Sequence, residues 1–431
     1  MTLPAGILLL AFFLLLLLNV PIAFAIGIAS ALAIHSAGDA PTTYIVAQRM
    51  IGGIDSFPLL AIPLFILAGN IMGRGGVASR LVQLANALVG SLPGGLAYVN
   101  TLTCMLFGSI SGSSAAAISS IGGFMIPEME KAGYRKEFSV ALTTCAATTG
   151  LIIPPSNIMI VYAVVAQNVS IAALFVAGVL PGIAFGLSLM LVAAIFCGRH
   201  AKDQIVIANQ VSLVKAALSA IPSLMLIVIV LGGILGGFFS ATEASAMAVA
   251  YAYFLACIVY RELKHKELHT VLVDSGKTTA VVLLLIGASQ AMSWFLVASQ
   301  IPQAVSEALL QLTDNRLTLL LLINILLLGV GIVLDMTPAV LIATPIFLPA
   351  VMELGVSPVH FGIIMIANLC IGLCTPPVGT CLFLGCSVGN VPISKVTRSM
   401  LPFYAAMIVA LAVITYWPSL SLILPRMMGL V

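Results

Sequence analysis

The sequence predicts an all-α polytopic membrane protein built from two inverted repeats, each with about five membrane-crossing helices and one re-entrant hairpin. Composition, the lengths of the apolar segments, and a repeated pattern of glycines and prolines predict this fold. Of the 431 residues, 61% are hydrophobic and 7% are charged, whereas a soluble domain is about a quarter charged. Most of the chain is therefore expected to lie in a lipid bilayer.

Ten apolar segments approach the length of about 20 residues that a helix needs to cross a bilayer. They lie near 3–19, 22–37, 56–73, 136–166, 171–197, 216–236, 241–261, 278–298, 359–391 and 397–424. Whether the first two form one kinked helix or two is left open by Pro21.

Two further apolar stretches, 90–131 and 315–356, are each divided near the middle by Gly, Ser or Asp. Each half has about 13 to 17 residues and reaches about 20 to 25 Å, which is short of the hydrocarbon core of about 30 Å. We therefore predict that both stretches are re-entrant hairpins.

The basic residues support ten crossings. With the N-terminus outside, 14 of the 17 Lys and Arg residues fall on the cytoplasmic side, and only Arg49, Arg316 and Arg426 fall outside, as the positive-inside rule requires. The cytoplasmic set is Arg74, Arg80, Lys131, Arg135, Lys136, Arg199, Lys202, Lys215, Arg261, Lys264, Lys266, Lys277, Lys395 and Arg398.

The two halves of the chain share one sequence pattern. Gly150-Leu-Ile-Ile-Pro-Pro-Ser-Asn157 matches Gly372-Leu-Cys-Thr-Pro-Pro-Val-Gly379 at an offset of 222 residues, which also relates Pro127 to Pro349. Each half then holds five crossings, and an odd number inverts the second half. Inverted repeats with broken helices are typical of secondary transporters. The predicted domains are a first repeat at 1–215, with scaffold helices at 1–75 and the hairpin and broken helix at 90–197, and a second at 216–431, with scaffold helices at 216–298 and the hairpin and broken helix at 315–424.

Four irregular segments fall at membrane depth: tip 1 (108–114), break 1 (150–157), tip 2 (329–338) and break 2 (372–380). Such backbone is tolerated only where protein or a water-filled cavity satisfies its polar groups. Prolines in the breaks free carbonyls of the preceding turn. Together with hydroxyl, amide and carboxylate oxygens these suit a small cation, while helix N-termini favour a substrate carboxylate.

Alternatives remain for single residues. Glycine, serine and proline in these segments also permit close helix packing. Asp335 is interpreted either as a buried ligand or as an interfacial helix cap. Asp55 and Glu243 stand at predicted helix starts and are interpreted as N-terminal caps.

Several function classes find no support. The eight cysteines lack paired CxxC spacing, which argues against a metal or redox centre, and the five histidines fall at or near predicted loops, which argues against a buried proton relay. No dense basic block favours nucleic-acid binding. Nothing in the sequence indicates an enzyme.

The chain resembles the large membrane (M) subunit of tripartite ATP-independent periplasmic (TRAP) transporters. The segments that carry the resemblance span essentially the whole chain, in the order of the family: Gly108–Ser114, Ile152–Ser156, Phe239–Ala244, Leu334–Pro338 and Thr375–Gly379. The resemblance implies an elevator-type carrier of the bacterial inner membrane that is coupled to two or more sodium ions. It implies two partners, a small membrane (Q) subunit on a separate chain and a periplasmic substrate-binding (P) protein. Substrates of the family include C4-dicarboxylates and sialic acid.

Carried over position by position, tip 1 and break 1 would form sodium site 1, from Gly108, Ser109, Ser113, Ser114, Gly150, Pro154 and Asn157. Tip 2 and break 2 would form sodium site 2, from Gly329, Gly331, Asp335, Thr337, Gly372, Thr375 and Gly379. The substrate cavity would include Ser111, Pro155, Ser156, Pro338, Pro376, Pro377 and Thr380. Because Asp335 stands where the first repeat has Ser113, and Gly379 where it has Asn157, the two ligand sets are expected to differ.

Three other functions are compatible with parts of the pattern. A stand-alone sodium/dicarboxylate symporter would need no binding protein. An ion-translocating subunit of a membrane enzyme complex would need Lys or His in a membrane relay. A passive scaffold would have to keep two broken polar hairpins in the bilayer at a cost in free energy.

Overall fold

The computed structural model describes residues 3–38, 41–167, 169–197, 212–313 and 315–431, and every regular element in these ranges is a helix. Arg199 and Lys202, two of the predicted cytoplasmic residues, lie outside them. Many large apolar side chains, such as Leu10, Leu191 and Val409, are exposed on the molecular surface. A membrane protein exposes such side chains to lipid rather than to water.

The chain begins with two separate helices, α1 (Leu3–Leu17) and α2 (Ile22–Ser36), of 15 residues each. They pack against each other across a turn in which Asn19 adopts a left-handed conformation, with φ of 59°. Pro21 directly precedes the first residue of α2. The structure thus has two helices here and not one kinked helix.

Three helices complete the first scaffold: α3 (Thr42–Ile54), α4 (Ala61–Arg74) and α5 (Val77–Val89). A 3-10 turn at Phe57–Leu60 leads into α4, and together they cover the predicted segment 56–73. The hydropathy pattern missed α3 and α5, because both are too short and too polar to resemble a membrane crossing. No residue of α3 is buried within the chain.

The first arm of the first hairpin is α6 (Gly95–Ser111). The second arm consists of α7 (Ser114–Ala117), a π turn (Ile118–Gly122) and α8 (Gly123–Lys131). It is followed by α9 (Lys136–Ile152), α10 (Asn157–Val165) and α11 (Ile171–Cys197). The axis bends by 47° between α9 and α10. The predicted segment 136–166 is therefore a broken helix.

The second half contains α12 (Leu213–Leu235), α13 (Ala241–Tyr253) with a π turn (Phe254–Val259), α14 (His265–Ala298), α15 (Ile301–Leu312), α16 (Arg316–Val333), α17 (Met336–Glu353), α18 (Pro358–Gly372), α19 (Thr380–Gly389), α20 (Ile393–Tyr416) and α21 (Ser419–Met427). α14 has 34 residues and starts well before the predicted segment, because its first turns are polar. The sequence did not predict α15, and Pro418 divides the predicted segment 397–424 into α20 and α21.

Helix length does not by itself distinguish crossings from hairpin arms. Among the described residues, eight helices are long and apolar enough to cross a membrane, or nine if the bent pair counts as one span. α16 and α17 are among the eight, because each has 18 residues, more than predicted for the arms of a hairpin. The division into ten crossings and two hairpins stays a prediction from charge and sequence pattern.

The core is centred on α9 and α18, most of whose residues are buried. The two helices contact each other, α9 also packs on α6, and α18 on α16. Glycines allow both hairpins to come this close: a Cβ on Gly108 would lie 2.6 Å from Cα of Gly150, and one on Gly372 would lie 2.7 Å from Cα of Gly331. Each hairpin is therefore packed, glycine against glycine, on the helix that precedes a break.

Candidate ion and substrate site

The two breaks share a Pro-Pro pair but differ in length. α9 ends at Ile152 and α10 begins at Asn157, while α18 ends at Gly372 and α19 begins at Thr380. Both Pro-Pro peptide bonds are cis. Because proline has no N–H, carbonyl groups before each proline pair lose their helical partners. In break 2 the carbonyl of Leu373 accepts hydrogen bonds from the N–H groups of Cys381 and Leu382. The hydroxyl of Tyr404 donates a hydrogen bond of 2.5 Å to the neighbouring carbonyl of Cys374.

Tip 1 lies against break 1. α6 ends at Ser111, and Gly112 then takes a left-handed conformation with φ of 60°, which glycine adopts without strain. A Cβ on Gly112 would lie 3.2 Å from the carbonyl oxygen of Pro155 and 3.5 Å from the backbone nitrogen of Asn157. The next residue, Ser113, caps α7 by accepting a hydrogen bond from the N–H of Ala116. A larger residue at position 112 would separate the tip from the break.

Tip 2 lies against break 2. α16 ends at Val333, Leu334 and Asp335 are extended, and α17 begins at Met336. Asp335 holds the N-cap position of α17 but makes no capping hydrogen bond with its side chain. Its carboxylate instead accepts a hydrogen bond of 3.0 Å from the hydroxyl of Thr380. The contact joins tip 2 to the first residue of α19.

Tips and breaks together line one cavity of about 580 Å³. The thiol of Cys381, on α19, donates a hydrogen bond of 3.2 Å to the hydroxyl of Ser114, so break 2 also contacts tip 1. Residues of α4 and α14 also line the cavity. The predicted site residues that line the cavity are Ser111, Ser113, Ser114, Asn157, Asp335, Thr337 and Thr380.

The lining suits both a hard cation and an anion. Oδ1 of Asn157 is buried and has no hydrogen-bond donor among the described residues. Amide, carboxylate and hydroxyl oxygens are the ligands that small hard cations prefer. The first residues of α10, α17 and α19 all line the cavity, so three helix N-termini converge there. The positive end of a helix dipole favours a bound anion, although in α19 the N–H groups of Cys381 and Leu382 already donate to the carbonyl of Leu373.

The other predicted residues do not line the cavity. Gly108, Gly150, Gly331 and Gly372 form the glycine contacts of the core, as the packing alternative expects. The hydroxyl of Ser109 donates to the carbonyl of Leu106 within α6, and the hydroxyl of Thr375, just after α18, donates to the carbonyl of Ile371 in that helix. Gly329 lies in α16 with open space beside it. The remaining residues stand in the breaks or inside α17 without facing the cavity: Pro154, Pro155, Ser156, Pro338, Pro376, Pro377 and Gly379.

Other polar residues have structural roles. Glu243 accepts hydrogen bonds from the N–H and the hydroxyl of Ser240, which confirms its interpretation as a helix cap. Asp55 directly follows α3 and is therefore a C-terminal residue rather than an N-cap. His360 is the third residue of α18 and so lies next to a loop, as predicted, but its side chain is fully buried. Its ring nitrogens lie 2.6 Å from the hydroxyl of Ser421 and 3.3 Å from the carbonyl of Thr415.

Sequence reasoning missed the cavity wall contributed by the scaffold. Gly69, Asn70, Gly73 and Arg74 of α4 and Thr278 of α14 line it. The four residues of α4 recur at one helical face, with spacings of three and four. That small and polar face on an otherwise apolar helix was the signal available in the sequence.

Paired hairpins and broken helices around an oxygen-lined cavity define a secondary transporter, not an enzyme. The family described as "Tripartite ATP-independent periplasmic transporter, DctM component" matches residues 9–420. The chain belongs to this family, the large permeases of TRAP transporters, and it is a multi-pass protein of the bacterial inner membrane.

Relatives that are similar in sequence agree with this assignment. An uncharacterised protein, YgiK of Salmonella typhimurium, is 49% identical over 97% of this chain and 96% of its own length. The isethionate TRAP transporter permease protein DctMQ of Oleidesulfovibrio alaskensis is 41% identical over 95% of this chain, which covers 65% of that protein. The C4-dicarboxylate TRAP transporter large permease protein DctM of Pseudomonas aeruginosa is 40% identical over 89% of this chain and 90% of its own.

The fold also resembles the YdaH transporter of Alcanivorax borkumensis, with a TM-score of 0.62, 16% identity, and coverage of 88% of this chain and 90% of that one. At this identity the likeness concerns the fold alone. It is the likeness expected of a polytopic transporter.

Proposed function

We propose that this chain carries out sodium-coupled secondary uptake of an organic acid by an elevator movement. It receives the acid from a periplasmic binding protein and works with a small membrane subunit. The observation that carries the proposal is the single cavity in which both tips and both breaks present oxygen ligands beside three helix N-termini.

Sodium is supported by the ligand chemistry. Asp335 brings a carboxylate, and Asn157 brings a buried amide oxygen without a donor. A carboxylate at membrane depth is costly as a bare charge and is expected to bind a cation or a proton. The serine and threonine hydroxyls beside it, from Ser113, Thr337 and Thr380, complete an oxygen set suited to sodium.

An organic acid is supported by the converging helix N-termini and by the relatives, two of which are named for isethionate and for C4-dicarboxylates. Both kinds of compound are anions. The elevator movement is supported by the two walls of the cavity, because tips and breaks form one wall and the scaffold helices α4 and α14 form the other. A substrate held by the first wall would cross the membrane as that wall moves along the second.

Both partners are inferred from the family. The relative named DctMQ extends beyond the region that this chain matches. We propose that this chain works with a partner that corresponds to the Q part of that relative.

The deciding experiment measures uptake of labelled isethionate, succinate and sialic acid into proteoliposomes that contain this chain and the small subunit. Uptake should require both an inward sodium gradient and the purified periplasmic binding protein. Uptake that proceeds equally without the binding protein would favour the stand-alone symporter, and uptake that ignores sodium would reject sodium coupling.

A further inference from the structure

One charged residue of the cavity wall has no role in the proposed function. Arg74 ends α4 and is the only basic side chain among the described residues that line the cavity, where Asp335 is the only acidic one. Nη2 of Arg74 lies 2.7 Å from Oδ2 of Asp274 on α14, and the two side chains are 47% and 42% exposed. Water screens an ion pair this exposed, so it is held weakly.

The position of Arg74 places it near tip 1. A Cβ on Gly69 would lie 2.7 Å from the carbonyl oxygen of Ser111 in tip 1. A Cβ on Gly73 would lie 3.4 Å from the hydroxyl of Ser120 in the π turn that follows, so this face of α4 contacts both the tip and the returning arm of the first hairpin. Arg74 follows Gly69 by roughly 7.5 Å along the helix axis. A long side chain spans a distance of that order, and the distribution of basic residues predicts that Arg74 lies toward the cytoplasm.

The guanidinium group of Arg74 can accommodate a second anion. It carries five N–H donors in a planar fork. Among the described residues, Asp274 accepts the hydrogen bond that the structure shows from it, through Nη2. A fork of this shape binds carboxylates and similar oxyanions through two parallel hydrogen bonds.

We propose that Arg74 is a second contact for the acid group of the substrate, on the cytoplasmic side of tip 1. Asp274 competes with the substrate for the guanidinium group and so keeps this contact weak. This inference rests on the proposed function and adds a specificity residue from the scaffold wall. An acid group leaving tip 1 replaces Asp274 on the guanidinium. Asp274 recovers the guanidinium as the acid departs.

The directions in which two substitutions change the Kd of the acid distinguish this role from that of a structural ion pair. If the pair only joins α4 to α14, Arg74→Gln and Asp274→Asn should act in the same direction, because either change breaks it. If Asp274 competes with the substrate, Arg74→Gln should weaken acid binding and Asp274→Asn should strengthen it. Arg80 and Glu262 provide matched controls, since they form an ion pair of 2.8 Å between α5 and the segment after α13 but do not line the cavity.

The test measures equilibrium binding of isethionate, succinate and sialic acid to the full chain in lipid nanodiscs at saturating sodium. For an acid that the unmodified protein binds, we expect Arg74→Gln to raise Kd about fivefold or more, Arg74→Lys to raise it less, and Asp274→Asn to lower it at least about twofold, each tenfold being about 1.4 kcal/mol. Arg80→Gln and Glu262→Gln should leave Kd unchanged.

If Arg74→Gln and Asp274→Asn change Kd in the same direction, or if the control variants change it equally, the proposed role of Arg74 is wrong. The proposed transport function would not be affected by that result. If Arg74→Gln does not fold, Asp274→Asn decides, because only a competitor predicts tighter binding on its removal. An unmodified protein that binds none of the three acids would count against the proposed function itself, and the role of Arg74 would go with it.

Discussion

Asp335 shows at the scale of one residue how a local sequence feature becomes a site. It follows the end of α16, so its backbone is extended and its side chain is free of the helix. The carboxylate meets the hydroxyl of Thr380 on break 2 instead of capping α17. This position makes Asp335 the proposed carboxylate ligand of the coupling cation.

We expect Asp335→Asn to abolish or severely weaken sodium-coupled uptake while the protein still inserts and folds, because asparagine keeps the shape and removes the charge. Uptake into proteoliposomes as a function of sodium concentration measures the effect, and the melting temperature reports folding. A proton-coupled carrier would behave differently: an inward pH gradient would drive uptake without sodium, and the variant would retain exchange. That behaviour would replace sodium by protons as the coupling ion.

Ser113 and Asn157 are the proposed sodium ligands of the first repeat. Replacing either by Ala should raise the sodium concentration for half-maximal uptake, by about tenfold if each ligand contributes about 1.4 kcal/mol. The matched control is Ser109→Ala, because that hydroxyl donates to the carbonyl of Leu106 within α6 and does not line the cavity. Sodium dependence that changes equally in all three variants, or in none, would exclude Ser113 and Asn157 as ligands.

At the scale of elements, the hairpins depend on the glycine contacts beneath their tips. Gly372 faces the backbone of Gly331, and a Cβ there would approach the carbonyl carbon and Cα of Gly331 to 2.7 Å. Real Cβ atoms do not approach backbone this closely, so α16 and α18 would have to move apart. Tip 2 would then lose its contact with break 2.

We expect Gly372→Ala to lower the stability of the protein by about 1 to 3 kcal/mol, the usual cost of overpacking, and to reduce sodium affinity with it. Gly329→Ala is the matched control, because nothing lies within 4 Å of a Cβ at that position of the same hairpin. Melting temperatures of the purified variants compare the two. Equal melting temperatures would show that the glycine contact does not hold the hairpin.

The sequence predicts the breaks and tips well because their causes are local. Pro154 and Pro376 remove amide donors, and Gly112 permits a turn, whatever the rest of the chain does. The short helices α3, α5 and α15 escaped prediction because hydropathy detects lipid-facing length, not amphipathic segments. Arg74 escaped because its place in the cavity depends on how α4 packs against tip 1.

At the scale of the whole molecule, the basic residues predict how many times the chain crosses the membrane. One crossing in the second half is made by two short helices, the broken pair α18 and α19, which have 15 and 10 residues. Neither reaches the hydrocarbon thickness of about 30 Å alone, but at 1.5 Å per residue the two together exceed it. If they cross as one unit, the chain changes sides between α16 and α20.

Four single cysteines in a background without the native eight test this topology. We expect an impermeant maleimide applied from the periplasm to label Arg316→Cys and Arg426→Cys and to miss Lys264→Cys and Lys395→Cys, which should react only after the membrane is opened. This labelling pattern follows if α14, the broken pair and α20 each cross the membrane once. The hairpin between Arg316 and the broken pair crosses either not at all or twice, so it does not change the side on which the following residues lie. Labelling of position 395 together with position 316 would mean that α18 and α19 return to the side they entered. The second half would then cross the membrane an even number of times, and the two repeats could not be inverted relative to each other.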